Sequence, residues 1–124
     1  MVLAESIVRA AARRATILGW AILPVLLGLA WSEPALAQPL NTALPYVDAE
    51  VVWAARHEMA RTVEDVLCRR TRALFLNSRA AIEAAPKVAS LMARELEQDS
   101  GWQTKQLAEF QRIASHFSLD SAVP

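Results

Sequence analysis

Residues 48–74 read DAEVVWAARHEMARTVEDVLCRRTRAL, and this stretch decides the fold. Val51, Val52, Ala55 and Met59 recur at helical spacing while Arg56, Glu58 and Arg61 fall elsewhere, so the spacing predicts an amphipathic helix. Asp48 stands where a cap would start it. Thr62-Val63-Glu64-Asp65 reads as a variant capping box, with Asp65 in place of the more usual Glu or Gln. A second helix is expected from there, with Val63, Val66, Leu67 and Leu74 on its apolar side. Asp65 and Arg69 are spaced as a same-face ion pair worth a few tenths of a kcal/mol when exposed.

Downstream the helical pattern continues. Asn77 or Ser78 can cap a third segment, which meets Pro86; the proline either kinks it or opens a new helix. Val88, Leu91, Met92 and Leu96 form its expected buried stripe. Gln98 to Gly101 is a polar break, followed by a last helix in which Leu107, Phe110, Ala114 and Phe117 follow 3-4-3 spacing. No run alternates apolar and polar with β-branched residues. The expected fold is therefore all-α, a small bundle of about four to five helices over residues 47–119, with 120–124 as a tail.

Upstream the character changes. Pro34, Pro39 and Pro45 each remove a backbone donor and disfavour helix in the preceding residue, so 34–46 is expected to be an extended, Pro-rich connector. Residues 1–33 form a basic and hydrophobic segment: Arg9, Arg13 and Arg14 precede an apolar stretch from Ala15 to Trp31. At about 17 residues, that stretch sits at the lower limit for spanning a bilayer. With Ala35-Leu36-Ala37 it also fits an export leader cleaved before Gln38. A buried helix, or an end left by a gene truncation or shifted start, fits the same residues.

Composition excludes several kinds of chemistry. In 124 residues, 13 basic and 13 acidic side chains cancel, so no overall field gathers nucleic acid or an anionic membrane. A single cysteine, Cys68, leaves no internal disulfide, and two histidines with no second cysteine argue against a zinc site. Three glycines, none in GxGxxG or GxxxxGK[ST], leave no loop to cradle a dinucleotide or a nucleoside triphosphate.

A Cys-His nucleophile would need His57 or His116 beside Cys68, and nothing in the sequence brings them there. Glu50, Glu58, Glu64 and Asp65 invite a carboxylate metal site, but no Glu-x-x-His occurs; caps and arginine pairs are the expected use of these acids. Arg69, Arg70 and Arg72, with Arg56 and Arg61 upstream, concentrate guanidinium groups suited to carboxylates and phosphates. Without interleaved aromatics, the expected role of this cluster is internal pairing or docking on another domain. Trp53, Trp102, Phe75, Phe110 and Phe117 are expected to be core or interface anchors.

Leu44-Pro45-Tyr46, Ala49-Glu50-Val51-Val52, Arg56-His57-Glu58-Met59-Ala60, Thr62-Val63-Glu64-Asp65-Val66-Leu67 and Arg69-Arg70-Thr71-Arg72 together resemble a known family. They look like the C-terminal helical domain of FAD-dependent glycerol-3-phosphate dehydrogenases and the related α-glycerophosphate oxidases, with Cys68 where a small residue, often alanine, is usual. The likeness runs from about Pro34 to Phe117, and residues 1–33 show none. Pro34-Ala-Leu-Ala-Gln-Pro-Leu40 looks like the family's lead-in to this domain, which accounts for the apparent cleavage site without a peptidase.

The resemblance implies origin in an enzyme that oxidises sn-glycerol 3-phosphate to dihydroxyacetone phosphate, passing electrons from flavin to quinone or oxygen. It also implies that FAD and the substrate contacts lie in a large N-terminal portion. No catalytic, cofactor-binding or metal residue is therefore carried over. Glu50, Glu58, Thr62, Asp65, Arg69, Arg70 and Arg72 are the structural or docking candidates. The implied role is an accessory domain, from a truncated gene or a split enzyme, inactive alone and docking on a flavin-bearing domain or subunit. No nucleic acid is expected, and membrane contact would run through residues 15–31. The family reading places the chain in the cytoplasm or at the inner face of the plasma membrane. The competing reading makes it a small exported or membrane-tethered helical binding protein.

Overall fold

The computed structural model of the chain describes Gly28 and residues 32–118. Apart from Gly28, the expectations for residues 1–31 and for the tail fall outside the described residues. Four α-helices follow a short 3-10 turn at Pro34–Ala37: α1 Asp48–His57, α2 Ala73–Leu76, α3 Ser78–Glu95 and α4 Ser100–Ala114. A π-helical segment, Asp65–Arg70, lies between α1 and α2. Among the described residues there is no strand, and the fold is the expected all-α bundle. None of the described helices is long and apolar enough to cross a membrane.

α3 is the hub, packing against α1, α2, α4 and the π-helical segment. Its inner side is Ala80, Ala81, Ala84, Ala85, Val88, Ala89 and Met92. These mostly small residues let the neighbouring helices approach closely. Leu91 and Leu96, expected in that stripe, are only partly buried. Pro86 neither starts a helix nor ends one: α3 runs through it for 18 residues. The proline is on the exposed side, where water can serve the carbonyl its missing N–H leaves free.

The caps explain most boundaries. Asp48, expected to be a cap, is instead the first residue of α1. Val47 is the extended cap residue, and its N–H donates to the Glu50 carboxylate at 2.9 Å. The Asp48 carboxylate turns to the Lys87 ammonium on α3 at 2.9 Å. At the other end Met59 takes φ 58°, and the Arg61 guanidinium donates to the Ala55 and Ala60 carbonyls at 3.1 Å each. Arg61 thus serves the Ala55 carbonyl in the last turn of α1 and that of Ala60 just beyond it. The Asn77 side chain caps α3 by accepting the Ala80 N–H, and that of Asp99 caps α4 by accepting the Trp102 N–H. Between them Glu97 at φ 54° returns the Gln98 N–H to Ala93 O at 2.8 Å, so α3 and α4 are joined by a tight turn.

The connector is not extended throughout. Leu40 N–H donates to Tyr46 O at 2.8 Å and Asp48 N–H to Gln38 O at 3.0 Å, closing residues 38–48 into a loop. This loop turns Leu40, Leu44 and Tyr46 into the main core. Prolines forbid helix here, but the apolar residues between them still have to be buried, and the loop does that.

Candidate docking surface

The Thr62–Asp65 box forms as the spacing predicts. Asp65 N–H donates to Thr62 Oγ1 at 3.0 Å, and Thr62 N–H donates to Asp65 Oδ2 at 3.1 Å. Arg61 N–H adds a second bond to that carboxylate, at 3.0 Å. Burial is the largest single influence on the Asp65 carboxyl and would raise its pKa. The Arg61 and Thr62 donors, with the Arg69 guanidinium, outweigh burial and hold it below the usual value of 3.8. Beyond the box, the buried Val63 N–H donates to Gln106 Oε1 on α4 at 3.1 Å.

The helix that the box starts is π-helical. Thr71 N–H and Thr71 Oγ1 both donate to Val66 O, at 2.9 and 2.8 Å. Thr71 Oγ1 in turn accepts the Ala73 N–H at 3.3 Å, and the buried Tyr46 hydroxyl donates to Thr71 O. Arg72 then takes φ 59° and ends the segment. The single helix expected from Val63 to Leu74 is therefore broken at Thr71–Arg72. The inserted π residue shifts the helical phase by one, so that Thr71, Ala73 and Leu74 face inward. Phe75 and Leu76, which follow at once, are turned out and are 57% and 65% exposed.

The seven candidates do different things. Glu50 is buried against the Val47 N–H, and Thr62 and Asp65 are occupied with each other. Glu58 contributes its backbone carbonyl, which accepts from the Arg70 guanidinium at 2.6 Å. Arg69 faces Glu64 and Asp65 at 3.5 Å each. Arg72 is exposed at the cap of α2. The firmest arginine clamp lies outside this group. Arg56 grips both Glu95 oxygens, at 2.7 and 3.1 Å, and Glu33 at 3.2 Å, tying α1 to α3 and to the residue that precedes the 3-10 turn.

The remaining reactive groups are held apart. His57 stacks on Trp53, ring centroids 4.0 Å apart, and His116 follows the end of α4. The charges that act on Cys68 are Glu64, Asp65 and Arg69. Burial pushes its thiol up, Glu64 and Asp65 add to that, and Arg69 offsets only part. Its labelling by a thiol reagent at about pH 8 is therefore expected to be roughly a hundredfold slower in the folded chain than in denaturant. Equal rates in the two states would show that the π-helical segment does not shield it. Among the described residues, no three His, Cys, Asp or Glu side chains are grouped to hold a metal ion.

Sequence reasoning did not single out the pairing of Phe75 with Phe117, whose rings meet edge to face at 5.2 Å. A signal was present, because Phe117 continues a stripe whose inner members Phe110 and Ala114 already fill the core.

Fold and surface together define a small helical module, with several of its acids and arginines engaged internally and an aromatic spot left outside. Residues 9–106 match the family described as the C-terminal domain of alpha-glycerophosphate oxidase, and the chain belongs to that family. The match begins well before Pro34, inside the segment that sequence reading sets apart.

Among curated relatives, a probable mitochondrial glycerol-3-phosphate dehydrogenase of Caenorhabditis elegans is 44% identical over 88 residues, 70% of this chain and 12% of the relative. The mitochondrial glycerol-3-phosphate dehydrogenase of Homo sapiens is 42% identical over 74 residues, 60% of this chain and 10% of the relative. That of Arabidopsis thaliana is 32% identical over 85 residues, 68% of this chain and 14% of the relative. The chain thus spans about a tenth of the length of the relatives it matches. No solved structure matches it.

Proposed function

We propose that the chain acts as the non-catalytic accessory domain of an FAD-dependent glycerol-3-phosphate dehydrogenase, working only when docked on a flavin-bearing polypeptide. The observation that carries this reading is the internal use of polar groups among the described residues: the Thr62–Asp65 box, the Arg70 bond to Glu58 O and the Arg56 clamp on Glu95 engage the acids and arginines with one another. The described residues do not fit a flavin either. The two glycines among them, Gly28 and Gly101, are both helical and neither takes positive φ, so neither forms the tight glycine turn on which a pyrophosphate is cradled.

A partner that hands electrons to a quinone works at a membrane face. The reading therefore places the chain on the cytoplasmic side of that membrane, with residues 15–31 available for contact. Purification of the full chain tests the proposal. A colourless protein with no dye-linked turnover of glycerol 3-phosphate is expected; bound flavin with turnover would overturn it. A mature chain beginning at Gln38 would place it instead among exported proteins.

A further inference from the structure

This inference rests on the reading above and assigns it a surface. Phe75 and Leu76 on α2 and Phe117 beyond α4, the last 47% exposed, form one apolar spot, with Phe75 and Phe117 in direct edge-to-face contact. Burying these side chains is worth about 25 cal/mol per Å², a gain the isolated module forgoes.

The sequence beside the spot is rich in arginine although the chain as a whole is neutral. No acid occurs from Val66 to Ile82, a run that carries Arg69, Arg70, Arg72 and Arg79, and Arg112 stands five residues before Phe117. Arg69 and Arg70 are partly engaged inside the module. Arg72, held at φ 59°, accepts the Phe75 and Leu76 N–H groups at its carbonyl, while its exposed guanidinium makes no hydrogen bond or ion pair with another described residue.

We infer that the face centred on Phe75, Leu76 and Phe117 docks into an apolar depression bordered by carboxylates on the flavin-bearing polypeptide. A second copy is the poorer occupant, because it would bring two arginine-rich sides together. A nucleic acid strand is poorer too, since an edge-to-face pair offers no open stacking platform. The relatives carry the matching segment as about a tenth of a much longer chain, which favours the surface of such a chain as the occupant.

The test is photo-crosslinking in the cell that makes the protein, using the full chain with p-benzoylphenylalanine in place of Phe75 or, as a control, of Lys105. Lys105 is exposed on α4, nine residues before its end and about 13 Å along its axis. The Phe75 probe is expected to crosslink to a flavin-bearing protein at a peptide rich in Asp and Glu. The Lys105 probe should give no such product, and Arg72→Glu should lower the Phe75 yield at least tenfold. A flavoprotein adduct from the Lys105 probe alone would overturn this surface while leaving the proposed function standing. Adducts from neither probe would overturn both. A Phe75 adduct with a second copy, a lipid or a nucleic acid would overturn the inference.

Discussion

Phe110→Ala is expected to leave most of the chain unfolded at 37 °C. Phe110 is 1% exposed and among the largest side chains that are fully buried. Truncating such a phenylalanine typically costs about 3–5 kcal/mol, the lost transfer energy plus the cavity. A module of this size has on the order of 5 kcal/mol to lose at the low end of ordinary stabilities. Few neighbours can collapse into the gap, because α3 presents mainly alanines to the shared core. Urea denaturation followed by circular dichroism checks it. A loss under about 1 kcal/mol would mean that α4 does not close the core. The family match ends at residue 106, so this closure is made by residues just beyond it.

The second large effect is expected at Asp65. Asp65→Ala removes a carboxylate that accepts two backbone N–H groups, from Arg61 and Thr62, and should cost about 2–3 kcal/mol. Asp65→Asn keeps an oxygen for those donors and should cost about 1 kcal/mol, which separates geometry from charge. The pH dependence separates them further. The Asp65 carboxyl titrates lower in the folded chain than in the unfolded one. Its contribution is therefore complete above about pH 3.8 and is lost as the pH falls through the folded pKa.

Asp48 has the opposite sign. Burial raises its pKa, and the Lys87 ammonium offsets only part of that. The folded state thus favours the protonated acid, and stability falls as the pH rises from about 3.8 through the folded pKa. Asp65→Asn should flatten the acid limb of the stability curve and Asp48→Asn the descent above it. Unchanged curves in both variants would refute the assignment.

These two acids also show how far the sequence could be read. The Thr62–Asp65 box is a local device fixed by spacing, and it forms as expected. So do the Asn77 cap and the inward positions of Val88, Met92 and Phe110. Asp48 was legible as an acid at a helix start, but Lys87 lies 39 positions away and no local pattern announces it. The break at Thr71 was hidden for a different reason. Val63, Val66, Leu67 and Leu74 keep helical period across it, and one inserted residue changes which neighbours face out without disturbing that list. Tyr46 directly follows the last proline of a stretch with no period at all, so its bond to Thr71 O could emerge only from the packed chain.

On the candidate surface, the sequence announced the arginines and the aromatics as separate features. Arg61 looked like part of a cationic patch and closes a helix end instead. Phe75 looked like an anchor but gave no sign of its neighbour, because Phe117 lies 42 positions on and follows a different helix.

The tight turn between α3 and α4 also bears on how the molecule comes together. Their contacts lie close along the chain and cost little loop entropy, whereas Lys87 must find Pro39 O, and Asn41 must find Glu83, across more than forty residues. A helical hairpin from the C-terminal half should therefore nucleate, and the loop at 38–48 should set last. Translation delivers these parts in the reverse order, so α1 and the loop must wait on the ribosome for the hairpin they will pack against, and the module matures only near the end of its own synthesis.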